Sequence, residues 1–121
     1  MICVDTNILI YASKGLIDPE IFRGKKVIYS SVVKIEALGY KNNTQQEVSY
    51  LKVFFDEYEH YYISDEIVQK TIEIRINNKL KLPDAIIAAS AIANDCVLWT
   101  VNETDFQQIP KLKLYNPLKK T

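Results

Sequence analysis

The chain has 121 residues, 48% of them hydrophobic and 25% charged, which is the size and composition of one globular domain, residues 1–121. Fifteen basic residues balance fifteen acidic ones, so a nucleic-acid function would need a local site rather than an overall positive charge. Two cysteines, Cys3 and Cys96, are too few for a secreted disulfide scaffold, and the longest apolar run, residues 85–93, is too short for a membrane span. With no signal-peptide pattern at the N-terminus, we expect a cytoplasmic protein with buried free thiols.

From the N-terminus, short β-type runs alternate with helical runs. The pattern predicts strands at residues 2–4 and 26–30 and helices at residues 6–15, 18–24, 32–39 and 45–58. Ser31 and Thr44 are expected to cap the last two of these helices. The helix after Thr44 carries one apolar stripe, formed by Val48, Leu51, Phe55 and Tyr58.

The second half of the chain continues the same alternation. Strands are predicted at residues 60–63, 97–100 and 112–115, and helices begin near Ser64 and Leu82. The first of these helices carries Val68, Ile72 and Ile76 on one face, and the second is apolar nearly all round, so we expect it to be buried on several sides. Strands that alternate with helices predict an α/β sandwich around a mostly parallel sheet.

Four acidic residues stand out when they are placed on this outline. Asp5 ends the first strand, Glu36 lies in the helix after the second strand, Asp84 begins the apolar helix, and Asp105 lies in the loop after the fourth strand. Because ligands of parallel sheets bind outside the carboxyl ends of the strands, these acids are expected to converge on one crevice. Each acid could instead cap a helix or face solvent, but a mid-helix glutamate on an apolar segment is costly to bury unpaired.

Crowded carboxylates repel one another unless a cation neutralises them. Oxygen ligands favour hard cations such as Mg²⁺ or Mn²⁺. Such an ion polarises a phosphate and lowers the pKa of an attacking water, so the acids predict phosphodiester hydrolysis.

The sequence resembles the PIN-domain family, in particular VapC-like toxins of VapBC toxin–antitoxin pairs. The matching motifs are VDTN at residues 4–7, SVVKIE at 31–36, KLPDAIIAA at 81–89 and TVNETDF at 100–106. The resemblance implies a three-layer α/β/α sandwich with a five-stranded sheet. It also implies a ribonuclease that depends on Mg²⁺ or Mn²⁺, acts on RNA, is held in check by a cognate antitoxin and forms a homodimer.

The resemblance assigns the catalytic acids to Asp5, Glu36, Asp84 and Asp105, and the metal ligands to Asp5, Asp84 and Asp105. Supporting roles are implied for Asn102 in the last motif and for Thr6 or Asn7, one of which would help hold the first acid. A glycine usual before the fourth strand is replaced by Asn94 and Asp95, which tolerate the left-handed conformation that a helix end requires. An extra acid, Glu103, is expected to face solvent rather than join the site.

Other residues have weaker claims on function. Lys79 and Lys81 precede Asp84 closely enough to contact phosphates. His60 is the only histidine and is expected to be structural. The aromatic residues of the middle of the chain fit the core and a dimer surface better than base stacking: Phe54, Phe55, Tyr58, Tyr61 and Tyr62. The homodimer is expected to use the two helices between Ser31 and Tyr58, which carry Tyr40, Tyr50, Phe54 and Phe55.

Two alternative functions were considered. A non-catalytic PIN-like module that binds RNA or protein stays open, although the presence of all four acids favours the enzyme. A phosphatase with Asp5 as nucleophile would need a second aspartate two residues later, where the chain has Asn7.

Overall fold

Five short strands form a central sheet in the computed structural model, which describes residues 1–119. The strands are β1 (Ile2–Val4), β2 (Val27–Ser30), β3 (Glu59–Tyr61), β4 (Val97–Trp99) and β5 (Lys113–Tyr115). They lie in the order β3-β2-β1-β4-β5, and every neighbouring pair is parallel. Residues 120 and 121, the end of the expected domain, lie outside the described residues.

Helices cover both faces of this sheet. They are α1 (Thr6–Ser13), α2 (Ser31–Leu38), α3 (Gln45–Glu57), α4 (Asp65–Asn77), α5 (Leu82–Ala93) and the short α6 (Glu103–Phe106). A 3₁₀ turn, Pro19–Phe22, stands where the sequence predicts a second helix. Helices α1, α2 and α3 pack together, whereas α5 contacts β1, β2 and β4 and carries α4 on its outer side. This arrangement confirms the predicted α/β/α sandwich with a five-stranded sheet. Within residues 1–119, no helix is long and apolar enough to cross a bilayer.

The centre of the core lies between β1 and α5. All three residues of β1 are buried, and so are Ala85, Ile87, Ala88, Ala89, Ser90 and Ala91 of α5. Small alanines let this helix approach the sheet closely. Because α5 also packs against α4 on its other side, it is apolar nearly all round. The thiols of Cys3 and Cys96 are buried and free, as expected.

The helix caps agree with the sequence at Thr44 and differ from it at Ser31. Thr44 and Glu47 form a reciprocal capping box at the start of α3. At α2 the cap is Ser30, whose hydroxyl accepts from the Val32 amide, so the predicted cap Ser31 is the first helical residue. Asp95 adopts φ 50°, the left-handed conformation expected there after α5.

The apolar row predicted on α4 is not the row that packs into the core. Ile67, Thr71 and Ile74 are buried, whereas Val68, Ile72 and Ile76 are 41%, 45% and 76% exposed. The expected row is present, but packing on α5 buries the neighbouring row, which contains a threonine. Thr71 is accommodated there because its hydroxyl donates to the Ile67 carbonyl at 2.7 Å.

The aromatic residues expected to mark a dimer surface are largely core residues. Phe54 and Phe55 are 3% and 4% exposed, and Tyr50 is half-buried. Phe54 packs against Phe22 and Tyr58, with ring centroids 5.3 and 4.6 Å away. Because Phe54 packs against aromatic rings outside α3, the helix carries more buried aromatic surface than a single apolar stripe would supply. Burial excludes Phe54 and Phe55 from the predicted dimer surface, while the homodimer itself stays a prediction.

Candidate active site

Asp5 is held at the carboxyl end of β1 by contacts with the start of α1 and with the end of β4. Its backbone amide donates to the Trp99 carbonyl at 3.0 Å, which ties it to β4. Its carboxylate accepts from the Thr6 amide at 2.8 Å and from the Thr100 hydroxyl at 2.8 Å. Burial raises the pKa of Asp5, these two donors lower it, and the charges of Glu36 and Asp105 raise it again. The side chain is therefore fixed in orientation and lies close enough to two other acids to feel their charge.

Glu36 reaches the same region from α2. Its Oε1 accepts a hydrogen bond from the Thr6 hydroxyl at 2.7 Å, although the two residues are 30 positions apart in the chain. Thr6 thus contacts two acids, with its amide on Asp5 and its hydroxyl on Glu36. The resemblance implied that Thr6 or Asn7 holds the first acid. The structure assigns that contact to the Thr6 backbone and gives the Thr6 hydroxyl to Glu36, while Asn7 is exposed.

Asp84 lies in the first turn of α5, where burial is the largest influence on its titration. Burial and the negative charges of the other three acids, Asp5, Glu36 and Asp105, raise the pKa of Asp84 to about 6. The nearby Lys81 acts in the opposite direction and only partly offsets them. The other three acids therefore lie within electrostatic range of Asp84.

Asp105 and Asp84 line a cleft of about 400 Å³ together with Lys79, Leu80 and Lys81. Asp105 lies in α6, a short helix where the sequence predicts a loop, and its amide donates to the Asn102 carbonyl at 3.1 Å. Both lysines thus border the cleft that contains two of the acids. This placement is the one that contact with the phosphates of a substrate would need.

The donor set fits a hard divalent cation. The four acids offer only oxygen, and burial together with the charges of the other three acids disfavours the ionised form of Asp84, which a cation would stabilise. In the described part of the chain, residues 1–119, no three acidic, histidine or cysteine side chains are positioned close enough to ligate one ion. Repulsion between carboxylates favours such a separation.

Two further residues of the last motif occupy defined positions. Asn102 precedes α6, and its amide donates to the Thr100 hydroxyl oxygen at 2.9 Å, whereas its side chain does not cap the helix. Glu103 accepts from the Asn116 side chain at 3.2 Å and lies 3.7 Å from the Lys119 ammonium. Glu103 is thus directed towards the C-terminal segment rather than fully into solvent.

Thr100 is the site residue that sequence reasoning missed. It is fully buried, its hydroxyl donates to Asp5, and the same oxygen accepts from the Asn102 amide. In the sequence it appears only as the β-branched end of a strand. A polar residue at the carboxyl end of a predicted buried strand, at the start of the motif that contains Asp105, was the available signal.

Comparison with known proteins identifies the family. The model of the PIN domain matches residues 2–112. No curated protein sequence matches the chain. Among solved structures, VapBC2 from Rickettsia felis, bound to a DNA fragment from its promoter, is similar at a TM-score of 0.82 and 27% identity over 96% of this chain and 98% of that chain.

Two further structures agree with this assignment. A toxin–antitoxin complex from Klebsiella pneumoniae is similar at a TM-score of 0.73 and 26% identity, over 99% of this chain and 100% of that chain. VapBC-1 from nontypeable Haemophilus influenzae shares the fold at a TM-score of 0.79 and 21% identity, over 98% of this chain and 100% of that chain. Since the family model spans nearly the whole chain and the fold agrees, the chain belongs to the PIN domain family.

Proposed function

We propose that this PIN domain, spanning residues 1–121, is an endoribonuclease that depends on Mg²⁺ or Mn²⁺ and hydrolyses RNA phosphodiester bonds. One observation carries the proposal: four acids from separate segments lie at one end of the sheet. Thr6 contacts both Asp5 and Glu36, and Asp84 and Asp105 line one cleft, where burial and the charges of the other three acids raise the pKa of Asp84 to about 6. A structural protein gains nothing from acids that repel one another at one edge of its sheet. A divalent cation would turn the same arrangement into a binding site for a phosphate.

Each residue has a distinct role in this proposal. Asp5, Asp84 and Asp105 would hold the ion, which when bound polarises a phosphate and lowers the pKa of the attacking water. Glu36, oriented by the Thr6 hydroxyl, is placed to accept a proton at its carboxylate. Lys79 and Lys81 would hold neighbouring phosphates of the RNA at the rim of the cleft.

The biological setting that we propose is that of a cytoplasmic toxin restrained by a cognate antitoxin. Two similar structures that share more than a quarter of the sequence are a VapBC complex and a complex described as toxin–antitoxin. We further propose a homodimer, formed on the exposed apolar row of α4 rather than on the aromatic residues of α3.

The test is RNA cleavage by the parent protein and by Asp5→Asn. We expect the parent to cleave single-stranded RNA with Mg²⁺ or Mn²⁺ and to stop when a chelator is added. Asp5→Asn keeps the shape and one of the two acceptor oxygens of the side chain but removes its charge, so cleavage should fall at least about 100-fold while the fold is retained.

Three results would count against the enzyme. Cleavage by Asp5→Asn at the parent rate would show that Asp5 does not hold the ion. A parent that cleaves no RNA with either metal, across varied single-stranded substrates, would favour the binding module instead. Unfolding of Asp5→Asn at room temperature would show that the carboxylate serves only as a structural cap for α1.

A further inference from the structure

Three rings stack at the edge strand β3, from the core to the surface. The centroid of Tyr29 lies 5.1 Å from that of His60, with ring planes 22° apart. The centroid of His60 lies 3.9 Å from that of Tyr62, with planes 24° apart. Tyr29 is 2% exposed, whereas Tyr62 is 73% exposed. Tyr62 is therefore the outer ring of an ordered stack, unlike an isolated surface tyrosine that is free to rotate.

Hydrogen bonds fix the two inner rings of the stack. The Tyr29 hydroxyl donates to the Phe55 carbonyl at 2.6 Å. The ring nitrogen Nε2 of His60 lies 2.7 Å from the Ser31 hydroxyl. Burial and the charge of Lys34 lower the pKa of His60, so the ring under Tyr62 is neutral at pH 7. Tyr62 thus rests on a neutral, immobile support, and little conformational entropy is lost when another flat ring stacks on it.

The stack lies near the carboxyl ends of the strands, where the acids also lie. Tyr61 pairs with Ser30, so Tyr62 is level with the first residue of α2. The helix α2 joins the two places directly, since Ser31 contacts His60 and Glu36 contacts Thr6. Strands β3 and β1 are two positions apart in the sheet, which corresponds to roughly 10 Å. A base stacked on Tyr62 would belong to a nucleotide near the cleaved one, not to the cleaved nucleotide itself.

We propose that Tyr62, supported by His60, is a stacking platform for a base of single-stranded RNA, and that Lys34, one helical turn after Ser31 in α2, faces the backbone phosphate of that nucleotide. This inference rests on the proposed ribonuclease function and assigns the ring a role in binding the substrate. Base–aromatic stacking tolerates any base, because every base has a π-face. The platform therefore contributes affinity and position, while contacts elsewhere supply any sequence preference.

The experiment measures RNA binding without cleavage. All variants are made in the Asp5→Asn background, and the probe is a fluorescein-labelled 12-nucleotide oligoadenylate RNA whose binding is followed by anisotropy. Tyr62→Ala should weaken binding roughly 5- to 100-fold, and Tyr62→Phe, which keeps the ring, should stay within about twofold of the background protein. Lys34→Gln should lower the slope of log affinity against log salt by about 0.7, the value for one phosphate of a single strand.

Tyr115→Ala is the matched control. Tyr115 is 48% exposed, lies on β5, the edge strand opposite β3, and packs on Trp99 of β4. Its removal should leave RNA binding unchanged. Circular dichroism confirms that each variant is folded before binding is compared.

The outcomes separate the platform from the ribonuclease. Equal binding by Tyr62→Ala and the background protein overturns the platform, while RNA cleavage by the parent would still support the enzyme. The platform is also overturned if the background protein binds no oligoadenylate, or if Tyr115→Ala weakens binding as much as Tyr62→Ala. If Tyr62→Ala converts a dimer to a monomer in sedimentation while each chain binds RNA as before, the ring is a subunit contact and the inference is wrong.

Discussion

A chain of hydrogen bonds through Thr100 fixes the orientation of Asp5. The Asn102 amide donates to the Thr100 oxygen, and the Thr100 hydroxyl donates to Asp5. This relay links the end of β4 to the end of β1, so the loop that leads to Asp105 and the carboxylate of Asp5 are held in one arrangement. Thr100 would act through Asp5 and is therefore a positioning residue.

Replacing Thr100 by valine tests this relay. The change keeps the shape but leaves the Asp5 oxygen and the Asn102 amide without a partner, so the free energy of unfolding should fall by about 1–3 kcal/mol. The Mn²⁺ concentration for half-maximal RNA cleavage should rise, and Thr100→Ser should restore it. Thr71→Val is the control, because it removes a buried hydroxyl that donates only to the Ile67 carbonyl of its own helix. An unchanged metal requirement in Thr100→Val would contradict the positioning role.

The titration of Asp84 predicts how the metal-free protein responds to pH. Its pKa is about 6 in the folded protein, against 3.8 for an ordinary aspartate, so the folded state binds this proton more tightly than the unfolded chain. The group costs no stability below pH 3.8. Stability then falls as the pH rises towards 6, and the full cost is present above pH 6.

Asp84→Asn should therefore stabilise the protein in chelator at pH 7.5. Allowing for solvent screening and for the favourable first-turn position of an acid in α5, we expect a gain of about 1 kcal/mol, or roughly 3–5 °C in Tm. At pH 4 the variant and the parent should unfold at similar temperatures. Asp56→Asn, an exposed aspartate on α3, serves as the control and should change little at either pH. A lower Tm of Asp84→Asn at pH 7.5 would show that the carboxylate mainly stabilises the start of α5.

At the scale of elements, local signals were sufficient to predict the strands. All five predicted strands are present within two residues of their predicted ends, because each is a short run of β-formers between helix caps or turns. Buried parallel strands need little more than hydrophobicity and β-branching, which the sequence displays directly. The alternation of strands and helices then restricts the topology to right-handed crossovers in a parallel sheet.

The buried face of α4 could not be predicted in the same way. The helix carries two candidate rows, and the exposed row, with Val68, Ile72 and Ile76, is the more apolar. Packing of α4 against α5 buries the row that contains Ile67 and leaves the more apolar row exposed. Tertiary packing here overrides the local pattern, and Thr71 satisfies its hydroxyl within the helix. No local pattern in the sequence indicates that α4 packs on α5, which is the contact that decides the buried face.

In the candidate site, local sequence signals predict the positions of the acids but not the long-range contacts that orient them. Asp5 is at a strand end and Asp84 is near a helix start, positions that periodicity and capping residues locate, whereas Glu36 lies inside α2. Their partners are not local, since Thr6 and Glu36 are 30 positions apart and Asp5 and Thr100 are 95 apart. Contacts of that kind depend on strand order, which the alternation of elements does not fix. Sequence reasoning therefore located the acids but missed the hydroxyls that orient them.

At the scale of the whole molecule, the exposed apolar row on α4 is not explained by packing within one chain. Val68, Ile72 and Ile76 follow one another at four-residue spacing, so they form a continuous apolar strip along the helix. Ile76, the last residue of the strip, is 76% exposed, because a different face of α4 packs on α5. A strip of this kind favours association with another surface, and a second copy of the chain offers an identical strip.

The homodimer is tested by a charge placed on this strip. In a two-fold interface, Ile72→Glu would bring two buried negative charges close together, so the variant should be a monomer at micromolar concentrations where the parent is a dimer. Val53→Glu is the control, since Val53 is 63% exposed on α3, away from the strip, and its replacement should leave the dimer intact. Sedimentation velocity measures both variants beside the parent. A monomeric parent would end the dimer proposal, and a dimeric Ile72→Glu would move the interface to another face of the protein.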